Sequence, residues 1–231
     1  MKDSEQRYFN VPIQLLEGFL LDKNRILNNI VHFACYEYCT TKNAEINQAE
    51  WFFNITVGNP KKAMKDGKAL FESTPANSPK IGVNVHKLFE FLKEEKPEFE
   101  QACFLAFLAL RSIIQNKSFC KIDNKFLLSR MDGKPKAVKA LTELSEAILK
   151  YASEYQTVKI KRALVETWGL VTYSRYTRGF YVSFSMSLPD LIFEAEKRRK
   201  SVIAKQYKAA EKEALKMALE RLEKARPLHD L

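Results

Sequence analysis

The chain is poor in several things, and each shortage argues against a class of protein. Seven glycines and eight prolines among 231 residues leave little material for long flexible linkers. A composition that is 46% hydrophobic and 29% charged is that of an ordinary folded protein and not of a disordered one. No apolar run approaches the roughly 20 residues that span a bilayer, and the opening MKDSEQRYFNVP lacks the apolar centre of a secretion signal. The expected location is therefore the cytoplasm, with no membrane partner. Four cysteines, all in apolar or helical surroundings, read as buried reduced thiols and not as a disulfide framework.

Catalytic equipment is scarce too. There are three histidines, and His229 falls near the C-terminal end, so histidine-dependent chemistry is poorly supplied. No phosphate-binding loop of the GxxxxGK[ST] kind occurs, and no GxGxxG follows a strand. The acids are scattered among bases, without the paired carboxylates of a two-metal nuclease. Tyr8, Tyr173, Tyr176 and Tyr181 have no neighbouring acid or histidine cluster to activate them as nucleophiles. His32, Cys35 and Cys39 share one helix face by spacing, but zinc wants a fourth ligand or a water, and Phe33, Ala34 and Tyr36 make this a packing face. The expectation is a protein that is not an enzyme and uses no cofactor and no metal.

What the chain has in excess is positive charge, and its position matters. The formal net charge is +10. Residues 1–120 carry 15 Lys and Arg against 14 Asp and Glu, whereas residues 121–182 carry 12 against 6 and residues 194–226 carry 11 against 6. A polyanion docking on the C-terminal half would release counterions, which makes nucleic acid, DNA before RNA, the expected partner.

The pattern along the chain gives that charge a setting. Apolar spacing from Ile26 to Tyr38 predicts a buried helix capped by Asp22. A short helix through Trp51 and Phe53, the turn Thr56-Val57-Gly58-Asn59 and a helix opened by Pro60 at its first position follow; the last carries Lys61, Lys62 and Lys65. Helix, glycine-containing turn and basic helix is the layout of a helix-turn-helix. Pro75 to Asn84 reads as a loop and short strand in the place of a wing. Phe99 to Ile114 predicts a helix apolar round its whole girth, and therefore central. Ser118–Ile122 reads as a strand, Asn124–Met131 as a helix, Asp132-Gly133-Lys134-Pro135 as a break, and Pro135 to Tyr155 as a further helix with packing positions Val138, Leu141, Leu144, Ile148, Leu149 and Tyr151.

Then comes TVKIKRALVETWGLVTYSRYTRGFYVSF, Thr157 to Phe184. Ile160, Leu164 and Trp168 share one helix face while Lys159, Lys161 and Arg162 point elsewhere. Gly169 sits where a helix ends in the left-handed conformation, and Val171, Tyr173, Phe180, Val182 and Phe184 alternate as two strands do. Arg175-Tyr176-Thr177-Arg178-Gly179 is the turn between them. Ser187-Leu188-Pro189-Asp190 starts a long basic helix to Arg226, whose seam packs on the body, zips with a second copy or stays exposed.

The fold class expected from this order is mainly α with short β-hairpins (α+β): two consecutive winged-helix-like domains, residues 1–95 and 96–187, and a long basic C-terminal helix, residues 188–231. Ile46 to Phe71 with its TVGNP turn, and Thr157 to Phe184, resemble two-domain winged-helix proteins of the plasmid replication-initiator and phage-regulator kind. The resemblance covers about half the chain and lies in architecture, not in invariant residues. It implies binding of repeated or palindromic DNA sites, often as a dimer, without catalysis, in replication initiation or transcription control of a mobile element. Lys159, Arg162 and Glu166 would then meet base edges, and Lys161, Arg175, Tyr176 and Arg178 the phosphates or minor groove. Lys61, Lys62, Lys65, Lys134, Lys136, Arg198 and Arg199 are the further candidate phosphate contacts. The chain also looks like some anti-CRISPR proteins, which implies an alternative partner: an RNA-guided nuclease, its guide RNA, or both. A plain αββ packing unit with a solvated basic surface accounts for the same pattern.

Overall fold

The computed structural model describes residues 7–174 and 179–225, with residues 92, 93, 199 and 222–225 described by backbone alone. The chain runs β1 (Tyr8–Pro12), a 3-10 turn (Ile13–Leu16), α1 (Lys23–Lys42), α2 (Ile46–Phe53), α3 (Pro60–Ser73), β2 (Lys80–Asn84), α4 (Val85–Lys93) and α5 (Glu98–Ile114). It continues β3 (Cys120–Ile122), α6 (Asn124–Met131), a 3-10 turn (Leu141–Glu143), α7 (Glu146–Leu149), α8 (Glu154–Trp168), β4 (Val171–Tyr173), β5 (Phe180–Ser183) and α9 (Leu188–Ala225). The result is mainly helical with two small antiparallel sheets.

Local chemistry explains most boundaries. The Asp22 carboxylate accepts from the Arg25 amide at 2.9 Å, opening α1, and Asn59 accepts from the Lys62 amide at 3.0 Å with Pro60 behind it, opening α3. Each removes one of the orphan amides of a helix start. Gly169 closes α8 at φ +67°, its amide donating back to the Leu164 carbonyl, and the chain turns straight into β4. At Ser187 the hydroxyl accepts from the Asp190 amide at 3.3 Å, beginning α9.

Helix α5 is the central element. Phe104, Leu105, Leu108, Ala109 and Leu110 are all buried, and the helix packs against β2, α6 and α8. Ring stacking continues outward from it: Phe104 lies 4.2 Å from Phe91, and Phe107 lies 4.8 Å from Trp168. Each such buried ring contributes on the order of 1.5–3 kcal/mol through area removed from water. One buried cluster runs from Phe9 to Val182 through α5, so residues on both sides of position 96 share a core.

Two expectations are corrected. The expected short strand forms, as β2, but not in the place of a wing: it pairs with β1 from before α1, in the register Phe9 with Val83 and Val11 with Ile81. And no long helix spans Pro135 to Tyr155. Side chains from α6 and the turn behind it hold this segment in turns instead. The Ser129 hydroxyl accepts from the Val138 amide at 3.0 Å, and the Asp132 carboxylate accepts from the Ser145 amide at 3.0 Å and from the Ser145 hydroxyl. The packing positions Val138, Leu144, Ile148 and Tyr151 are buried nonetheless, while Leu141 and Leu149 are exposed. Apolar side chains can reach a core from irregular backbone when neighbouring polar groups satisfy that backbone.

Candidate nucleic-acid interface

Helix α8, the hairpin and β3 form one unit. β5 lies between β3 and β4, pairing Cys120 with Val182 on one side and Thr172 with Val182 on the other. Gly179 returns the chain to β5 with φ +91°, and a Cβ there would lie 2.5 Å from the Ile122 carbonyl oxygen. Glycine is required both by conformation and by that close approach. At the base of α8, Asn124 at the start of α6 donates to the Thr157 hydroxyl at 3.4 Å and accepts from Lys161 at 3.4 Å, joining α6 to α8.

The three basic residues of α8 do not share a face. Lys161 is half-buried, with Nζ 4.4 Å from the centre of the Phe180 ring, and burial lowers its pKa, partly opposed by Glu154. It leans back on the sheet and does not point outward as the sequence suggested. Lys159 is exposed but lies over Phe99 of α5, 4.4 Å from the ring centre. Arg162 stands on the outward face, its side chain 79% exposed and paired 2.8 Å from Glu166. That face mixes charge with apolar surface: beside Lys159, Arg162 and Glu166 stand Tyr155, Val158 and Val165, which are 72%, 52% and 46% exposed. The sequence carried the signal, since 155, 158, 162 and 165 recur at three and four opposite Thr157, Ile160 and Leu164, but attention to charge passed over it.

The other candidates scatter. Arg175, Tyr176 and Arg178 lie outside the described residues. Lys134 is tied down, 3.0 Å from the buried Asp132 carboxylate and donating to the Glu143 carbonyl, so it braces the 132–145 segment. Lys136 is exposed beside Lys121 and Phe126 in a shallow depression. Arg198 lies over the Phe119 ring at 4.4 Å, while the Arg199 side chain is outside the described residues. Lys61, Lys62 and Lys65 are exposed on α3, on the opposite side from Gly67, which touches α1. Two further cations near the sheet went unnoticed in the sequence: Lys121, 5.8 Å from the Tyr181 ring, and Lys117, exposed just before β3.

The long helix joins this unit only at its beginning. Leu191 and Ala195 are buried, and Tyr173 of β4 donates to Glu196 at 2.9 Å. Beyond Glu196 every described side chain of α9 is exposed, Val202, Tyr207 and Leu215 included.

The thiols are held in their protonated state: burial, with smaller help from Cys39 and Glu50, pushes Cys35 up to about 12, and burial takes Cys103 and Cys120 to about 11. Such thiols are poor nucleophiles and poor metal ligands. Among the described residues no group of three or more His, Cys, Asp or Glu is placed to hold a metal ion, and no helix is long and apolar enough to cross a membrane.

No family model matches this chain, and neither a curated protein nor a solved structure matches it. The functional reading therefore rests on geometry and charge alone.

Proposed function

We propose that this is a non-catalytic nucleic-acid-binding protein of winged-helix type, binding DNA site-specifically in replication initiation or transcription control of a mobile element. The observation that carries the reading is the junction at Gly169. A helix ends there in a left-handed cap and runs directly into a three-stranded sheet in which β4 pairs antiparallel with β5. With α5, β3 and α6 before it, this is the element order of a winged helix, in which α8 is the recognition helix and the β4–β5 loop the wing. The insertion at residues 132–153 is a departure from the compact form. The charge excess of residues 121–182 supports a polyanionic partner. A homodimer joined through the uncovered part of α9 belongs to this reading, as does binding of a repeated site.

The test is retardation of DNA from the protein's own promoter or origin across a salt series. Replacing Lys159, Arg162, Arg175 and Arg178 together with alanine is expected to lower affinity at least about 100-fold and to flatten the salt slope by about 3 to 4, while thermal unfolding changes little. Unaltered binding removes α8 and the hairpin from the proposal.

A second reading is favoured by the exposed apolar side chains on the outward face of α8. Tyr155, Val158 and Val165 suit a protein partner better than a phosphate backbone. On this reading the protein is an inhibitor, of the anti-CRISPR type, that binds an RNA-guided nuclease or its guide RNA. A stoichiometric complex with such a nuclease, together with weak and sequence-indifferent DNA retardation, would select it over the first.

A further inference from the structure

One buried charge has no partner, and it lies away from the outward face of α8. Arg130, near the end of α6, is only 6% exposed. Its Nε and Nη1 atoms are buried and make no hydrogen bond. No carboxylate pairs with it among the described residues, and the ring of Phe126 lies 5.1 Å from Cζ. A lysine or histidine in such a place sheds its proton, but a guanidinium stays charged at any pH the fold survives. An uncompensated buried cation is among the most costly groups a fold can hold, and one that persists calls for a counter-charge.

The surroundings specify what that counter-charge is. Arg130 lines a cavity of about 630 Å³ bounded by residues 76–80, the end of α5, β3 and the start of α6. Among the described residues no aspartate or glutamate lines it. Three lysines do: Lys80, Lys117 and Lys121. Lys80 is paired with Glu37, which leaves Lys117 and Lys121 as the cations at the mouth, and Gln115 and Asn77 supply neutral donors beside them. A guanidinium and two ammonium groups, with no acid among the described lining residues, are the donor set for a multiply charged tetrahedral oxyanion. The volume is that of a small-molecule site, larger than a lone ion requires.

We propose that this cavity is a phosphate-binding site, with Arg130 as its buried anchor and Lys117 and Lys121 closing over the phosphoryl oxygens. The phosphate belongs either to a small phosphorylated molecule or to a nucleic acid held against this side of the protein. The site does not depend on α8 acting as a recognition helix.

The experiment is a calorimetric titration of inorganic phosphate into the full chain at constant ionic strength set with chloride, paired with thermal unfolding in each salt. Saturable binding at one site is expected, with an unfolding midpoint that rises in phosphate and not in chloride. Arg130→Met, which keeps the apolar stem, is expected to weaken phosphate at least about tenfold. The double replacement Lys117→Gln with Lys121→Gln leaves the buried arginine in place and is expected to weaken it by about three- to tenfold. Phosphate that stabilises no more than chloride, or that binds equally well to the Arg130→Met protein, overturns the site. Should that variant not fold, unchanged affinity in the lysine pair overturns it instead. Competition then separates the two sources. Displacement of phosphate by an oligonucleotide without a terminal phosphate assigns the site to the nucleic-acid backbone, and displacement only by phosphate monoesters assigns it to a small molecule.

Discussion

Helices α3 and α8 hold similar places in the chain, each ending a run of helices and each followed by a strand, yet they are built for different ends. α3 lies flat on α1: a Cβ at Gly67 would sit 2.3 Å from the His32 carbonyl oxygen and 2.7 Å from Tyr36 Cβ. Its lysines are all exposed, and the strand after it pairs with β1, which precedes α1. α8 is wedged between α5 and a sheet, and the strand after it turns back on itself. Basic residues in the two helices are thus all exposed in one and divided between sheet and solvent in the other. What decides is how many neighbours a helix has.

This contrast can be broken at several points. The largest effect on stability is expected at the α1–α3 contact. Helix propensity alone favours Gly67→Ala by about 1 kcal/mol, but here the methyl group meets backbone, and overpacking of this kind costs about 1–3 kcal/mol. Chemical denaturation should therefore show a net loss; a gain would mean that α3 does not rest on α1 as closely as described. At the end of α8 the cause differs. Nothing lies within 4 Å of a Cβ built on Gly169, so Gly169→Ala meets only the strain of the left-handed conformation, about 1 kcal/mol. A larger loss in denaturation would show that the turn into β4 is packed and not free.

The two helices should also differ in pH response. His32, facing α3, has its pKa lowered by burial first, with Lys62 lowering it further and Asp66, 3.5 Å away, opposing. Burial prevails over the aspartate, in keeping with an Nδ1 that makes no hydrogen bond. The folded chain therefore takes up this proton less readily than the unfolded chain. Stability contributed by neutral His32 is present above the unfolded value of about 6.5 and is lost as pH falls below it. Thermal unfolding from pH 7.5 to 5 should show the decline, His32→Gln should reduce it and Asp66→Asn should steepen it. A slope unchanged in His32→Gln would assign the decline to other groups.

The smallest effects separate the cations of α8. Lys161→Met keeps the stem over Phe180 and should leave stability within about 1 kcal/mol of the parent, with little change in nucleic-acid affinity. Arg162→Ala should leave stability alone, since an exposed pair with Glu166 contributes at most about 1 kcal/mol, but should cost more in affinity than Lys161→Met. The reverse order in a retardation assay would place the contact surface on the sheet side of α8. Sedimentation of the full chain against one ending at residue 200 tests the dimer: a shift from two copies to one assigns association to the uncovered length of α9.

Much of the element order was readable in the residues. Asp22, Asn59 with Pro60, Gly169 and Ser187 mark their helix ends because capping is local chemistry, settled within four residues of chain. α5 was recognisable as central because a helix apolar on every side has nowhere else to go. The segment from Pro135 to Tyr155 was misread for the converse reason. Its apolar residues do reach the core, but polar groups on Ser129 and Asp132, near in space and absent from any helical pattern, satisfy its backbone instead. The candidate interface was legible as a unit of helix, stop and hairpin, and illegible in its surface, since no spacing rule says that Lys161 has Phe180 beneath it or that Lys134 answers to Asp132.

The sequence by itself determined most of the long helices, several of their caps, the hairpin that follows Gly169 and the half of the chain that carries the positive excess, all of which follow from interactions between near neighbours or from simple counting. Only the tertiary structure decided that β2 pairs with β1, that Lys161 of α8 leans onto the sheet while Arg162 stays in solvent, and that Arg130 is buried beside a cavity with no acid among its described lining residues. Those depend on which surfaces meet, and surfaces meet through burial of apolar area, a force without direction that takes no account of where in the chain a charge was written.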